Sequence, residues 1–108
     1  MEVVASWMQQ WIRSRWTSAV LPIAILQLLQ DGDLDEWMVM DSLYRLFGSA
    51  LDEKNARQVL KALIEKGFVE VIEKTGTRRL RVTREGFKLL SALRKEYGAV
   101  IAGSGLEV

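Results

Sequence analysis

Apolar residues recur at the spacing of one helix face in five stretches of the chain, and this pattern predicts five helices. The first covers residues 1–16 and carries one broad apolar stripe over residues 3–12. The second can be capped by Thr17 or Ser18 and is apolar on nearly all sides over residues 23–29. Because a helix without a polar face is typical of a buried position, we expect the second helix at the centre of the core.

Polar caps and glycine stops bound the third and fourth helices. Asp35 can accept hydrogen bonds from the first amide groups of a helix that ends before Gly48. Asp52 can cap the fourth helix, residues 52–66, and Gly67 can close it in the left-handed conformation. The apolar side of the third helix is formed by Trp37, Met40, Leu43, Tyr44 and Phe47.

After the fourth helix the pattern changes to that of a strand. Residues 68–73 alternate loosely between apolar and polar positions and are rich in β-branched side chains. A turn over residues 74–77, which contains Gly76, leads to a second strand over residues 78–82. The two segments predict a β-hairpin.

A last helix follows the hairpin. Thr83 can cap it, and we expect it to stop at Gly98, which leaves residues 99–108 as a flexible tail. The order of elements is that of a winged helix-turn-helix with an extra helix at each end. The predicted fold class is therefore mostly α (α+β), in a single domain over residues 1–98.

Composition removes several classes of function. The chain of 108 residues has no Cys and no His, which excludes disulfides, thiolate nucleophiles, imidazole bases and Cys/His zinc sites. The acidic run over residues 31–36 lacks the spacing of a calcium loop and indicates a solvated turn that ends in a helix cap. With no nucleophile–base pair of recognised spacing, we expect no enzyme activity, no metal and no cofactor.

Neither a membrane span nor a secretory signal occurs in the pattern. No apolar run reaches the roughly 18 residues of a spanning helix. The N-terminus lacks the early basic residues and the small-residue cleavage site of a signal peptide. The first helix also has too few basic residues for a membrane anchor. We therefore expect a cytoplasmic protein with no membrane partner.

A net charge of +1 conceals an uneven distribution. Residues 1–52 hold three basic residues against seven acidic ones, whereas residues 53–108 hold twelve against seven. Within residues 74–95 there are eight basic residues and one acidic residue. A concentrated basic patch on a nearly neutral protein is what recognition of a phosphate backbone requires.

The fourth helix has one apolar face and one polar face. Its apolar face is formed by Ala56, Val59, Leu60, Leu63 and Ile64. Its polar side carries five candidate DNA contacts, which are Lys54, Asn55, Arg57, Gln58 and Lys61. Such side chains bond phosphates and the major-groove edges of guanine and adenine. Many solvated helix faces carry similar residues, so this pattern is compatible with an ordinary surface helix as well.

The second strand makes the DNA-binding interpretation stronger. A basic wing, residues 74–84, contains five further candidate contacts, which are Lys74, Arg78, Arg79, Arg81 and Arg84. Strand alternation places Arg79 and Arg81 on the side opposite to Leu80 and Val82. Arginines beside a glycine turn are suited to follow a phosphate backbone or to reach a minor groove. The alternative is pairing across the hairpin, where two acidic residues, Glu70 and Glu73, are the expected competitors.

Three short motifs in the chain are Ile25-Leu26-x-Leu28-Leu29-x-x-Gly32-x-Leu34, Leu60-x-x-Leu63-x-x-x-Gly67-Phe68-Val69, and Arg81-Val82-Thr83-x-x-Gly86 followed by Leu89-Leu90. They resemble the motifs of winged-helix transcription regulators, most closely the PadR-like family. The resemblance covers roughly residues 20–95. One position departs from the family pattern, because Arg57 stands where members usually carry a Tyr.

The resemblance also implies a homodimer, since members of the family dimerise through their N- and C-terminal helices. The apolar stripe of the first helix would otherwise be an exposed apolar patch. The expected dimer residues are Val4, Trp7, Met8, Trp11, Ile12, Leu89, Leu93 and Tyr97. The alternative is that the first helix folds back on its own domain. Some relatives bind planar aromatic ligands between Trp residues at the dimer interface, so Trp7, Trp11 and Trp16 make such an effector a further hypothesis.

These features together predict a homodimeric, sequence-specific protein that binds double-stranded DNA and regulates transcription. The recognition helix, residues 52–66, would enter the major groove, and the basic wing would lie on the backbone. Two alternatives remain at this point. One is an architectural or partition protein that coats DNA, and the other is a winged helix that binds a protein partner.

Overall fold

The computed structural model describes the backbone of residues 20–74 and 76–103 and the side chains of residues 20–73 and 76–96. Within this part the elements follow the predicted order. They are α1 (Leu21–Gln30), α2 (Glu36–Phe47), a 3-10 turn (Gly48–Ala50), α3 (Glu53–Glu65), β1 (Val69–Lys74), β2 (Thr77–Val82) and α4 (Arg84–Gly103). The helix predicted over residues 1–16 lies outside the described residues.

The core forms around α1, as its nearly uniform apolar sequence predicts. Leu21, Ile23, Ile25 and Leu26 are completely buried. The helix contacts α2, α3, α4 and β2, so it packs against every other helix described and against the hairpin. Pro22 lies in its first turn, where the missing amide costs no helical hydrogen bond.

Side-chain caps begin the next three helices at the predicted residues. Asp35 Oδ1 accepts a hydrogen bond from the Met38 amide at 2.8 Å, and Asp52 Oδ1 accepts one from the Asn55 amide at 3.2 Å. Thr83 Oγ1 accepts the amide of the third residue after it at 3.1 Å. Each cap satisfies an amide that has no partner within its helix, so these local signals fix where α2, α3 and α4 start.

The hairpin extends to a third segment of extended chain. β1 and β2 pair antiparallel, with Val69 opposite Val82 and Val71 opposite Leu80. On the other side of β2, the Leu34 amide donates to the Leu80 carbonyl at 3.2 Å, and the Leu80 amide donates to the Leu34 carbonyl at 2.6 Å. The loop between α1 and α2 is therefore hydrogen-bonded to the hairpin. The sequence predicted a solvated turn here and did not predict this contact.

The first turn of α4 lies directly on the start of β1. Thr83 Oγ1 donates to the Gly67 carbonyl at 2.6 Å, and the Thr83 amide donates to the Phe68 carbonyl at 3.0 Å. A Cβ atom on Gly86 would collide with the Phe68 carbonyl oxygen and would lie 2.7 Å from Val82 Cγ2. Only glycine allows this close approach between helix and strand.

Two details of the prediction are wrong. The last helix does not stop at Gly98 but continues to Gly103, so residues 99–103 are helical rather than tail. A single glycine inside a helix costs only about 1 kcal/mol relative to Ala, which the surrounding turns can offset. Trp37 does not join Met40 and Leu43 in the core, since it is 74% exposed. The spacing of apolar residues placed Trp37 on the apolar side of α2, but it could not show how far around the helix the buried face extends.

None of the helices in the described part of the chain has the length and apolar character that crossing a membrane needs.

Candidate nucleic-acid interface

The two faces of α3 are separated as the sequence predicts. Ala56, Val59, Leu60 and Leu63 are buried against the core, because they recur at the three- and four-residue spacing of one helix face. The opposite side presents three exposed polar residues, which are Lys54, Gln58 and Lys61. The burial of one face thus fixes which side chains of this helix a ligand can reach.

The exposed side chains of this face have few protein partners. In the described part of the structure, Lys54 and Gln58 take part in no ion pair or side-chain hydrogen bond that would hold them on the protein. Lys61 Nζ lies 4.0 Å from Glu65 Oε1, one turn later on the same helix. Exposed pairs of this kind contribute little, so Lys61 can readily exchange its carboxylate for a phosphate. Asn55 is half-buried at the side of the helix.

Arg57 is turned towards α2, where it joins a network of two carboxylates. Its Nη1 lies 2.7 Å from Glu36 Oε1, and its Nη2 lies 2.9 Å from Glu53 Oε1. Tyr44 donates a hydrogen bond to Glu53 Oε2 at 2.7 Å. This bond and the neighbouring guanidinium lower the pKa of Glu53, and the hydrogen bond to Glu53 raises the pKa of Arg57. The predicted base contact of Arg57 therefore requires it to exchange or share these carboxylates.

Arg79 and Arg81 lie on the side of β2 opposite to the buried Leu80 and Val82, as strand alternation predicts. Arg81 binds a carboxylate in a two-pronged arrangement, with Nε 3.0 Å from Asp33 Oδ1 and Nη2 2.8 Å from Asp33 Oδ2. Arg79 Nη1 donates to the backbone carbonyl of Asp33 at 3.3 Å. The hydrogen bonds to Asp33 raise the pKa of the Arg81 guanidinium.

Glu70 and Glu73 are not the ion-pair partners of these arginines, although the charge of Glu70 adds to that of Asp33 in raising the pKa of Arg81. Glu70 faces Arg81 and Glu73 faces Arg78 in the strand register, yet no ion pair joins either couple in the described structure. The competing acid is Asp33, 48 residues before Arg81 in the chain. One signal pointed to it: residues 33–35 alternate acid, Leu, acid between two helices, as a short extended segment would.

The remaining wing residues are differently placed. Arg78 and Arg84 are exposed, and neither forms an ion pair or side-chain hydrogen bond with any residue whose side chain is described. The backbone of Lys74 ends β1, but its side chain lies outside the described residues. Arg78, Arg79 and Arg84 are thus the wing arginines that no carboxylate of the described residues holds.

The predicted dimer residues can be followed only in part. Leu89 and Leu93 are half-buried, and they line an apolar groove of about 430 Å³ with Pro22, Leu63 and Phe68. Val4, Trp7, Met8, Trp11 and Ile12 lie outside the described residues, as do Trp16 and the side chain of Tyr97. Both the dimer seam and the aromatic effector between tryptophans stay predictions.

The carboxylates of the described residues form no group of three or more that could hold a metal ion. The acidic residues near the interface instead bind arginines and cap helices, through Asp33, Glu36 and Asp35.

Solved structures share this architecture, although no protein-family model and no curated protein matches the chain. A transcriptional regulator from Clostridium thermocellum superposes with a TM-score of 0.65 at 21% identity, over 84% of this chain and 87% of that one. A PadR family transcription regulator from Clostridium difficile gives a TM-score of 0.58 at 20% identity, over 79% and 94%. The fold is a winged helix. RosR from H. salinarum gives a TM-score of 0.55 at 19% identity, over 79% and 91%.

The winged-helix fold assigns a place to each element. α2 and α3 correspond to the helix-turn-helix pair of this fold, and β1 and β2 correspond to its hairpin. The fold predicted from the PadR-like motifs is confirmed. Two of the predicted contacts, Arg57 and Arg81, pair with acids of the loop and helix that precede α3, and Arg57 also pairs with Glu53 of α3 itself.

Proposed function

We propose that the protein binds double-stranded DNA in a sequence-specific manner as a homodimeric transcriptional regulator, with α3 in the major groove and the basic wing on the backbone. The observation that carries this proposal is the outward face of α3. Its Lys54, Gln58 and Lys61 are exposed opposite a fully packed face, in the helix that a winged helix uses for the groove. The two compared regulators from Clostridium are described as transcription regulators, which supports the same role here.

The two elements have different tasks in this proposal. Gln58 can make paired hydrogen bonds to an adenine edge, and Lys54 can bond a guanine edge, so the first two turns of α3 supply sequence preference. Arg78, Arg79 and Arg84 supply affinity, because guanidinium groups that neutralise phosphates release counterions. The wing and α3 flank the same short loop, to which each is joined by an arginine–carboxylate pair. In the free protein both elements are therefore joined to one segment of the chain.

The test begins with selection of bound fragments from random duplex DNA, followed by titrations with the selected site and with random duplex. We expect Gln58→Ala to cost about 1–3 kcal/mol on the selected site and much less on random duplex. Lys61→Ala should weaken both to a similar extent, because a phosphate contact carries no sequence information. Fluorescence anisotropy at fixed salt measures both affinities for the natural protein and for each variant.

Glu65→Gln is the matched control, since it alters an exposed residue at the far end of the same helix. It should change the ratio of selected to random affinity little. Should Gln58→Ala lower both affinities by one factor, α3 contacts no bases, and a DNA-coating protein becomes the better description. Salt-insensitive or absent binding to every duplex would favour a protein-interaction module.

The homodimer is proposed to form through the first helix and α4. The half-buried Leu89 and Leu93 support it, because they leave an apolar groove open beside the start of α1. We expect a mass of two chains in size-exclusion chromatography with light scattering. Trp11→Glu should reduce it to one chain, since the substitution places an unpaired charge in an apolar seam, whereas Trp11→Phe should leave two. A single-chain mass for the natural protein at every concentration would contradict the dimer.

A further inference from the structure

Two arginines of the proposed DNA interface are occupied by acids that lie close together in the chain. Asp33 binds Arg81 of the wing, and Glu36, three positions later, binds Arg57 of α3 together with Glu53. Residues 33–36, which we call the acidic segment, thus contact both elements that would meet the duplex. No such role follows from the winged-helix fold itself.

The two central residues of the acidic segment are hydrogen-bonded to neighbouring elements, so the carboxylates on either side of them are held in place. Leu34 exchanges two backbone hydrogen bonds with Leu80 of β2. Asp35 caps α2 through the Met38 amide, which fixes the first turn of the helix that carries Glu36. The two acids are therefore presented to the arginines by backbone that is itself bonded.

The two pairs differ in how easily DNA could open them. The Arg81 side chain is 43% exposed and that of Asp33 only 23%, and both nitrogens of the fork are used. Paired, charge-assisted hydrogen bonds with a fixed fork geometry are the strong ones. Arg57 is bound by two carboxylates, Glu36 and Glu53, and all three side chains are about half exposed, at 51%, 55% and 46%. Water and salt weaken such exposed pairs, so each contact of Arg57 is easier to displace than the contact of Arg81 with Asp33.

We propose that Asp33 and Glu36 are positioning residues that limit binding to DNA of random sequence by keeping Arg81 and Arg57 from phosphates. This inference rests on the proposed DNA-binding function. A phosphate must displace a carboxylate to recruit either arginine, so non-specific contacts gain little from them. On a preferred site the more exposed Arg57 exchanges its carboxylates for a base edge, while Arg81 stays on Asp33 and keeps the wing aligned.

The decisive variant is Asp33→Asn, which removes the charge but preserves the size of the side chain. It should raise the affinity for random duplex and steepen the log–log salt dependence by roughly 0.9, as one arginine per protomer gains a phosphate. The ratio of selected-site to random affinity should fall. In the double variant Asp33→Asn/Arg81→Gln the steepening should disappear.

Asp31→Asn is the matched control, because it makes the same change of charge on an exposed residue of the same loop. Its effect on the salt slope should be less than half that of Asp33→Asn. Glu36→Gln is the second variant, and it changes an exposed side chain only. It should also raise the affinity for random duplex more than the affinity for the selected site. Circular dichroism confirms that each variant is folded at the temperature of the titration.

The outcomes separate the two proposals. Suppose that the natural protein binds duplexes with a salt-dependent affinity, that Asp33→Asn and Asp31→Asn have equal salt slopes, and that Glu36→Gln leaves selectivity unchanged. These results would overturn the acidic-segment inference alone. Natural protein that binds no duplex overturns the DNA-binding function and this inference with it.

Discussion

Gly86→Ala should lower the melting temperature of the protein by about 8–16 °C. The added Cβ would collide with the Phe68 carbonyl oxygen, a backbone atom that also accepts the Thr83 amide. Overpacking costs up to about 3 kcal/mol, and Ala returns about 1 kcal/mol through its better helix propensity. A net loss of about 2 kcal/mol gives this shift for a domain of about 100 residues.

Gly32→Ala is the control for this substitution. Gly32 has no atom within 4 Å of an added Cβ, and its backbone is not left-handed, so the melting temperature should change little. Thermal denaturation followed by circular dichroism at 222 nm compares the two variants. If the Gly86→Ala variant melts at or above the melting temperature of the natural protein, α4 can move away from β1 without loss of stability, and the prediction is wrong.

The second large effect should come from the wing. Arg78→Ala/Arg79→Ala removes two exposed guanidinium groups that we propose bind phosphates. For each protomer that contacts the duplex, the log–log dependence of DNA affinity on salt should flatten by up to about 1.8, which at 0.1 M salt corresponds to a loss of affinity on the order of fifty-fold. Titration of random duplex at several salt concentrations measures both quantities.

Lys88→Ala/Lys95→Ala provides the same change of net charge on α4, away from the hairpin. It should alter the slope far less, because these exposed lysines are not in the wing. Equal flattening by both double variants would show that total charge, rather than the wing, sets the affinity. The Arg78/Arg79 variant should also stay folded, since neither side chain is buried.

Local signals were enough to predict most of the fold. Asp35, Asp52 and Thr83 cap helices because a side-chain oxygen next to a run of helix-forming residues satisfies the first amides, whatever the rest of the chain does. The buried face of α3 follows from periodicity in the same way. These features depend on neighbours within four residues, and for that reason they can be predicted from one sequence.

The partners of the interface arginines could not be predicted by such rules. Asp33 and Arg81 meet only because Leu34 pairs with β2, and that pairing joins parts of the chain more than 40 residues apart. Likewise, the helical wheel placed Arg57 beside the outward face of α3 but could not show that the start of α2 lies next to it. The predicted DNA contacts were chosen by residue type. The structure shows in addition which of these side chains pair with an acidic residue.

The joint between the hairpin and α4 has a mechanical consequence. Thr83 follows β2 directly, is bonded to Gly67 and Phe68, and starts α4, whose Gly86 lies against the same backbone. Because no flexible linker separates them, the hairpin and the first turns of α4 would rotate together as one rigid body. In a homodimer that meets through α4, the angle between the two α4 helices would therefore set the distance between the two wings. A change of that angle would alter the half-site spacing that the dimer can span, without any change in the residues that touch DNA.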